Sequence, residues 1–373
     1  MVKNLWTLFT FIALLVLTSM QARAEIGFED ATNPEFAVSG RALAMGNAFI
    51  AKVDDPSSVF YNPAGLGTIR KTTFHLSNFH AETNKGWMQA TTGGKAGDVP
   101  STFPKGFSLD GTREVLLVNR KRIAHSRFHL MPNMTTRYFS IGYLYSKQTR
   151  AYMDEGDSAL FEYAKRTDSG PFWALNLSLF GGIMKFGITG LWLQRDEAFG
   201  DVDKDTTITL QKQDYKSGKS WQFVSGFKFT LPIAWLPTVA LKMNNTFAND
   251  FSTSQGSAGP PEEIKQSVDA GFSLTPQIGR VMRVHMELNF KDCTDEHTDV
   301  STGRKITAGI ELDIKRTVFL RFGYGDGFGS AGIGFMTQKL QFDLTTYAVD
   351  TTTSAFRGEE DRRFSITVSS GIL

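Results

Sequence analysis

The lengths of the gaps between strand-like segments constrain this chain most. After residue 70, stretches of alternating apolar and polar residues are joined by connections that switch between long and short. The long ones are 81–123, 150–158, 197–219, 250–263, 291–303 and 350–361. Between them fall short ones at 131–135, 181–182, 232–237, 276–279, 315–316 and 337–338, with one tight connection at 325–328 on the long side. Antiparallel strands that cross a membrane give this rhythm, with short turns on the periplasmic side and longer loops outside. A soluble sandwich has no reason to sort its loops by parity.

The N-terminus agrees with export. Lys3 precedes an apolar run from Leu5 to Leu17, and Ala22-Arg23-Ala24 supplies small residues for cleavage before Glu25. Residues 1–24 therefore read as a secretory signal peptide. The run is shorter than the roughly 20 residues a spanning helix needs. Cys293 is the single cysteine, so no intrachain disulfide is available. The formal net charge of +2 gives no reason to propose nucleic-acid binding.

Alternation within the segments favours a barrel. Met282, Val284, Met286, Leu288 and Phe290 share a face opposite Arg283, His285, Glu287 and Asn289. Ile306, Ile310, Leu312 and Ile314 oppose Thr307, Glu311 and Asp313. Trp221, Phe223, Phe227, Phe229 and Leu231 oppose Gly226, Lys228 and Thr230. An apolar side toward lipid and a polar side toward a lumen is the expected pattern. Trp173, Trp192, Trp221 and Trp235 fall near predicted strand ends, where interfacial aromatic girdles belong. Fourteen strands are expected, centred on Phe74, Phe128, Ile141, Leu175, Ile188, Phe227, Leu241, Phe272, Met286, Ile310, Phe322, Phe335, Leu344 and Ile366. The chain thus reads as an all-β transmembrane antiparallel barrel spanning residues 69–373, in the outer membrane of a Gram-negative-type bacterium.

Residues 25–68 are not strand-like. Phe36 to Val53 is alanine-rich and suits loose helix. Asp55-Pro56-Ser57 reads as a helix start with Asp55 as N-cap, and Asn62-Pro63-Ala64 repeats the device. Gly65 and Gly67 are expected to turn the chain into the first strand. The segment is too apolar for a free tail, and a wide barrel needs filling. Its run from Ser39 to Gly67 resembles the N-terminal hatch of the FadL-type outer-membrane protein superfamily, which spans long-chain fatty-acid and hydrocarbon transporters and PorV-like secretion proteins. Arg41, Ala42, Met45, Gly46, Ala48, Asp54, Asp55, Asn62, Pro63, Ala64 and Gly65 carry the likeness, with Asn47 and Lys52 where small residues are usual. The resemblance implies a fourteen-stranded barrel with a lumenal hatch.

The predicted inner faces carry Lys228, Lys242, Arg283, His285 and Arg304 together with Asp269, Glu287, Glu311, Asp313 and Asp343. They serve as ion pairs that pin the hatch or as a selectivity lining. No cofactor or catalytic residue is expected. Gly327 to Gly332 matches the dinucleotide fingerprint in letters, but a strand follows it, so a glycine-rich hairpin is expected. Asp201, Asp203 and Asp205 are spaced like the first calcium-loop ligands, yet Thr206 and Lys212 break the pattern. His125 and His129 share a strand face with Arg127 and read as lumen lining or a metal pair. Two functions lead, ahead of an outer-membrane hydrolase that has only scattered nucleophile-type residues behind it. One is passive transport of hydrophobic or amphipathic small molecules from a groove built by residues 81–123. The other is a PorV-type, non-conducting barrel that partners secretion or surface proteins. Either would sit in outer-membrane lipid.

Overall fold

The computed structural model describes residues 26–28, 30–70, 72–92, 103–156, 158–279, 281–337, 339–352 and 356–372. The signal peptide lies outside the described residues. One closed antiparallel sheet of fourteen strands accounts for most of the chain. They are β1 (Thr73–Asn84), β2 (Ile123–Leu130 and Asn133–Thr135), β3 (Phe139–Met153), β4 (Leu160–Leu179), β5 (Met184–Asp203), β6 (Lys216–Thr230) and β7 (Thr238–Asn244, with Ser252–Thr253). There follow β8 (Ser267–Leu274 and Gln277–Ile278), β9 (Met282–Phe290), β10 (Ile306–Ile314), β11 (Val318–Gly325), β12 (Phe328–Met336), β13 (Leu340–Asp350) and β14 (Glu360–Ile372). Each expected centre falls in a strand of its own. Every strand pairs with its sequence neighbours, and β14 closes on β1 with Phe79 opposite Val368 and Asn84 opposite Arg363. Closure leaves no strand edge to satisfy in lipid.

Two short turns differ from expectation, and proline is the reason. Pro132 and Pro276 have no amide hydrogen, so each breaks the ladder within a strand instead of ending it. Their carbonyls still accept, from Tyr143 N at 3.1 Å and Val284 N at 2.9 Å. Pairing then resumes, and the turns move on to residues 136–138 and to beyond Ile278. The tight 325–328 connection is the β11–β12 hairpin, with Asp326 and Gly327 both at positive φ.

The molecule is apolar outside and polar inside. Ile141, Leu175, Leu241, Phe272, Leu288, Ile310, Phe322, Phe335, Leu344 and Ile366 are all exposed. Their strand neighbours Ser140, Asn176, Lys242, Ser273, Glu287, Glu311, Arg321, Asp343 and Ser365 are buried. In water such a distribution is unstable; in a bilayer it is what burial of apolar area requires. Among the described residues no helix is long and apolar enough to cross a membrane. Trp192 and Trp221 are exposed but lie mid-strand, because β4 and β5 run for 20 residues each and continue past the aromatic belt.

The first long loop is folded. It holds Lys85–Thr92, Phe103–Phe107 and Leu109–Val118 as short helices. Ser108 caps the last of these by accepting from Gly111 N at 3.1 Å. Trp87, Ala90, Val115 and Leu116 pack on Ala124, Ala151, Met153 and Phe161, so the loop caps the outer ends of β2–β4.

Candidate functional site in the barrel lumen

The N-terminal segment occupies the barrel interior. From Phe36 to Gly67 nearly every residue is buried. Only Gly40–Ala44 (α1) and Ser58–Tyr61 (α2) are α-helical, followed by a 3₁₀ turn over Pro63–Thr68. The loose helix expected over 36–53 is thus one short turn. The rest is irregular because the wall, not the segment itself, satisfies its backbone. Ala51 N and Lys52 N donate to the Glu287 carboxylate at 2.8 and 2.7 Å. Lys228 Nζ donates to Val53 O at 3.0 Å, and Thr189 Oγ1 to Val59 O at 2.6 Å. Ser330 and Thr345 donate to Ala44 O and Gly40 O.

Arg41 sits at the centre. Its Nε and Nη2 hold Glu311 at 2.7 and 2.6 Å, and its Nη1 reaches Asp54 at 2.6 Å and Asp55 at 3.1 Å. Glu311 also accepts from Arg321 Nε at 2.7 Å, and Arg321 Nη1 donates to Asp343 at 2.5 Å. Lys52 completes the pairing of Asp54 at 2.7 Å. Burial alone would raise the Asp54 carboxyl, but Lys52 and Arg41 overcome it and hold it well below the usual range. A second centre is Glu35, which pairs with Lys242 at 2.9 Å and Lys291 at 3.3 Å. Burial opposes its charge as well. The two ammoniums and the Asn47 amide outweigh it and keep the carboxyl at about 2. Asn47 is a hub: at φ 62° it donates to Asn33 and Glu35, both at 3.0 Å, and accepts from Tyr61 at 2.8 Å. Asparagine tolerates that backbone, which explains a polar residue where a small one is usual. Asp269 lies 3.8 Å from Lys242 and accepts from Asp292 N at 2.9 Å.

Glycines on the inner wall make room for the segment. A Cβ on Gly323 or Gly325 would lie 2.1 or 2.2 Å from the Met45–Gly46 backbone, and one on Gly309 2.6 Å from Met45. Gly187 and Gly226 meet Asn62–Pro63 at 2.2 and 2.0 Å in the same way. Gly46 itself is at φ 66° against the Tyr324 backbone.

Capping differs in detail from expectation. Asn62 caps the 3₁₀ turn by accepting from Ala64 N at 3.1 Å, and its amide also donates to Ile50 O at 3.0 Å. Asp55 does not cap a helix beginning at Pro56; α2 starts at Ser58. Its carboxylate instead accepts from Ser57 N at 3.0 Å, forming a local turn, because its other oxygen is engaged by Arg41. Gly65 and Gly67 have negative φ. They are small because Val53 and Asn176 crowd them, each within 2.7 Å of an added Cβ.

Arg283 is half-buried and faces the periplasmic end with Asp313, its register partner. His285 lies 3.8 Å from Glu311 and within 3.1 Å of Thr275. Arg304 pairs with Asp326 at 2.5 Å. His125 and His129 do not meet as a pair. Glu82 bridges His125 at 2.7 Å and His80 at 3.2 Å, and His80 stacks on His129. Asp201, Asp203 and Asp205 are exposed, and among the described residues no three potential metal ligands gather. The sequence reading missed Glu35, Lys291 and Arg321, and the ion pairs of Arg166 with Asp30 at 2.7 Å and Glu197 at 2.6 Å. Inward parity could have found Arg321 and Arg166. It could not find Glu35, which lies in the irregular segment.

The segment separates two cavities. The outer one, about 280 Å³, is lined by Phe28, Phe36, Val224, Ile264 and Val300 with Arg150, Arg195 and Arg304. The inner one, about 510 Å³, is lined by Ile69, Leu236, Phe319, Met336 and Leu340 with Arg41, Lys52, Lys228 and Arg283.

The solved structure of a monoaromatic hydrocarbon channel, the TodX deltaS2S3 mutant, superposes with a TM-score of 0.53 at 9% identity, covering 91% of this chain and 99% of that one. The CymD monoaromatic hydrocarbon channel gives 0.50 at 10% identity, covering 90% and 98%. The fold is that of the FadL-type outer-membrane channels. No family model and no curated protein matches the sequence. The outer membrane phospholipase A from Escherichia coli also aligns, at a TM-score of 0.30 and 9% identity, and carries no argument for hydrolysis. Neither FadL-type neighbour supports secretion or surface proteins as partners of this barrel.

Proposed function

We propose that this protein is a passive outer-membrane channel for small hydrophobic or amphipathic molecules, with residues 25–68 acting as a plug that shifts to admit them. The observation that carries the reading is the lumenal segment with a partly apolar cavity on each side of it. A fold otherwise met in monoaromatic hydrocarbon channels supports it. Cargo collects in the outer cavity, which is lined by Phe28, Phe36, Ile264 and Val300 and by no described residue of the 81–123 loop expected to build the entry groove. It passes when the irregular backbone between α1 and α2 exchanges its wall partners, and it leaves through the inner cavity. Between α1 and α2 the segment's bonds to the wall are few, about 1.5–3 kcal/mol each where Glu287 or Lys228 is the partner, and the neutral Thr189 bond to Val59 of α2 is weaker, so local exchange of these partners suffices without ejecting the plug. The test is uptake of a small aromatic hydrocarbon into liposomes, compared between wild type and a variant lacking residues 25–53. Wild type should take up the hydrocarbon faster than empty liposomes, and the deletion should add ionic conductance in planar bilayers. A correctly assembled deletion barrel with neither change would refute the plug assignment.

A further inference from the structure

A polar groove of about 640 Å³ opens on the outside of the barrel, lined by Thr167, Gln194, Asp196, Lys212, Tyr215 and Lys219 among others. It takes no part in the lumenal path. The outward faces of β3–β6 set its position. On β3 the exposed Tyr145 is followed, two residues on, by Lys147. On β6, Lys219 stands two residues beyond the exposed Trp221. Lys147 is opposite Thr167, and Thr167 is opposite Asp196; one step further out, Lys165 is opposite Ala198. Four lysines therefore arc over three strand spacings, roughly 14 Å. Lys165 donates to Tyr215 Oη at 2.5 Å. Lys147, Lys212 and Lys219 form no ion pair among the described residues. Asp196 is the carboxylate in the groove, and the nearby Asp214 is turned to Gln211 N at 2.6 Å.

Directly below lies an aromatic cluster. Trp192 and Trp221 have centroids 5.1 Å apart, Phe223 lies 6.1 Å from Trp221, and Phe247 4.9 Å from Phe223. Tryptophan marks the membrane–water interface. Lysines immediately beyond it stand at headgroup level, where each contributes to holding an anionic lipid. We propose that this outward groove binds the phosphorylated headgroup of an outer-leaflet glycolipid. The lysines face the phosphates, Gln194 and Thr167 the sugar hydroxyls, and the aromatic cluster the first acyl methylenes. Continuity with the lipid-facing surface favours a lipid over a free anion.

The probe is bis-phosphorylated lipid A in detergent micelles, followed by native mass spectrometry. Dephosphorylated lipid A and millimolar inorganic phosphate are the comparison arms. Wild type should retain the bis-phosphorylated lipid through phosphate challenge and lose affinity for the dephosphorylated one. The variant Lys147→Ala/Lys165→Ala/Lys212→Ala/Lys219→Ala should weaken retention on the order of a thousandfold, since each of the four lysines adds about one surface charge contact. Heat-modifiable migration on a gel confirms assembly. If the quadruple variant does not assemble, Lys147→Gln/Lys219→Gln should still weaken retention, and Asp196→Asn should strengthen it. Equal retention by the variants, equal binding of the dephosphorylated lipid, or displacement by inorganic phosphate would each overturn the assignment.

Discussion

Replacing Arg41 by alanine should undock the lumenal segment while leaving the barrel assembled. Arg41 is 6% exposed and makes charged hydrogen bonds to three carboxylates, Glu311, Asp54 and Asp55. Summing such bonds at about 1.5–3 kcal/mol each would overshoot, because burying the guanidinium cost much of that gain. The better measure is the cost of removing one partner from a buried ionic network, about 3–5 kcal/mol. Arg321 still faces Glu311 after the change, and Lys52 still faces Asp54, so the lower half of the range applies. About 3 kcal/mol multiplies the undocked population by ~10². The strand ladders are untouched, so heat-modifiable migration should be unchanged.

The assay is hydrogen exchange across residues 36–53, read together with ion conductance in planar bilayers. Exchange in Arg41→Ala should accelerate by about two orders of magnitude, with more frequent openings. Removing Glu311 as well isolates the pair. Arg41→Ala/Glu311→Gln should cost less than the two single changes added together, since the double variant removes the Glu311 charge that loses a guanidinium in Arg41→Ala. Wild-type exchange in Arg41→Ala, or strict additivity in the cycle, would mean that the segment is held by packing alone.

Other outcomes follow from the same geometry. Leu288→Arg, on the lipid face, should cost roughly 2–4 kcal/mol in unfolding from lipid, whereas Glu287→Ala should leave barrel unfolding nearly unchanged and speed exchange at Ala51 and Lys52, whose amides it binds. Cysteines at Asp203 and Gly256 should react with an impermeant reagent on intact cells, and cysteines at Tyr138 and Gly181 should not. Labelling of Tyr138 alone would invert the topology. Gly46→Ala should destabilise docking by at least 1–2 kcal/mol from its positive φ, before the contact with Tyr324 is counted. Glu35 titrates at about 2, below the ordinary 4.5, so its share of docking is complete above pH 4.5 and fades as pH falls toward 2. That share is roughly 3 kcal/mol, and acid should speed exchange around residue 35 before the barrel unfolds.

The strands were legible because lipid imposes a period of two on every crossing, and parity survived even at Pro132 and Pro276. What failed was local: a proline read as a turn interrupts a strand when its neighbours can still pair. The reach of β4 and β5 was also hidden. Beyond Trp173 the outward residues become Pro171, Ser169, Thr167 and Lys165, so the apolar signal stops although the ladder does not. The inner wall was legible as a set of inward charges, but not as pairs. Arg41 meets Glu311 across 270 positions of sequence, and only barrel register and the docked segment bring them together. The wall glycines read as weak strand positions. Their role depends on which backbone approaches them.

The charged lumen first counts against an apolar cargo, and the geometry removes that objection. A segment with only two short helices leaves many amides and carbonyls without internal partners, and buried ones must be satisfied. Glu287, Lys228, Thr189, Ser330 and Thr345 spend their polar atoms on that backbone, and Arg41, Glu311, Arg321 and Asp343 spend theirs on one another. Polarity in the wall is thus what an irregular plug demands, and it says little about what passes. The cavities on either side are partly apolar: Phe28 and Phe36 of the segment with Ile264 line the outer one, and Ile69, Phe319 and Leu340 the inner one. On the proposed function, a cargo of low polarity would meet apolar side chains beside charges such as Arg195 and Arg283 in each cavity, and the step that moves the segment, not partition into the cavities, should limit its passage.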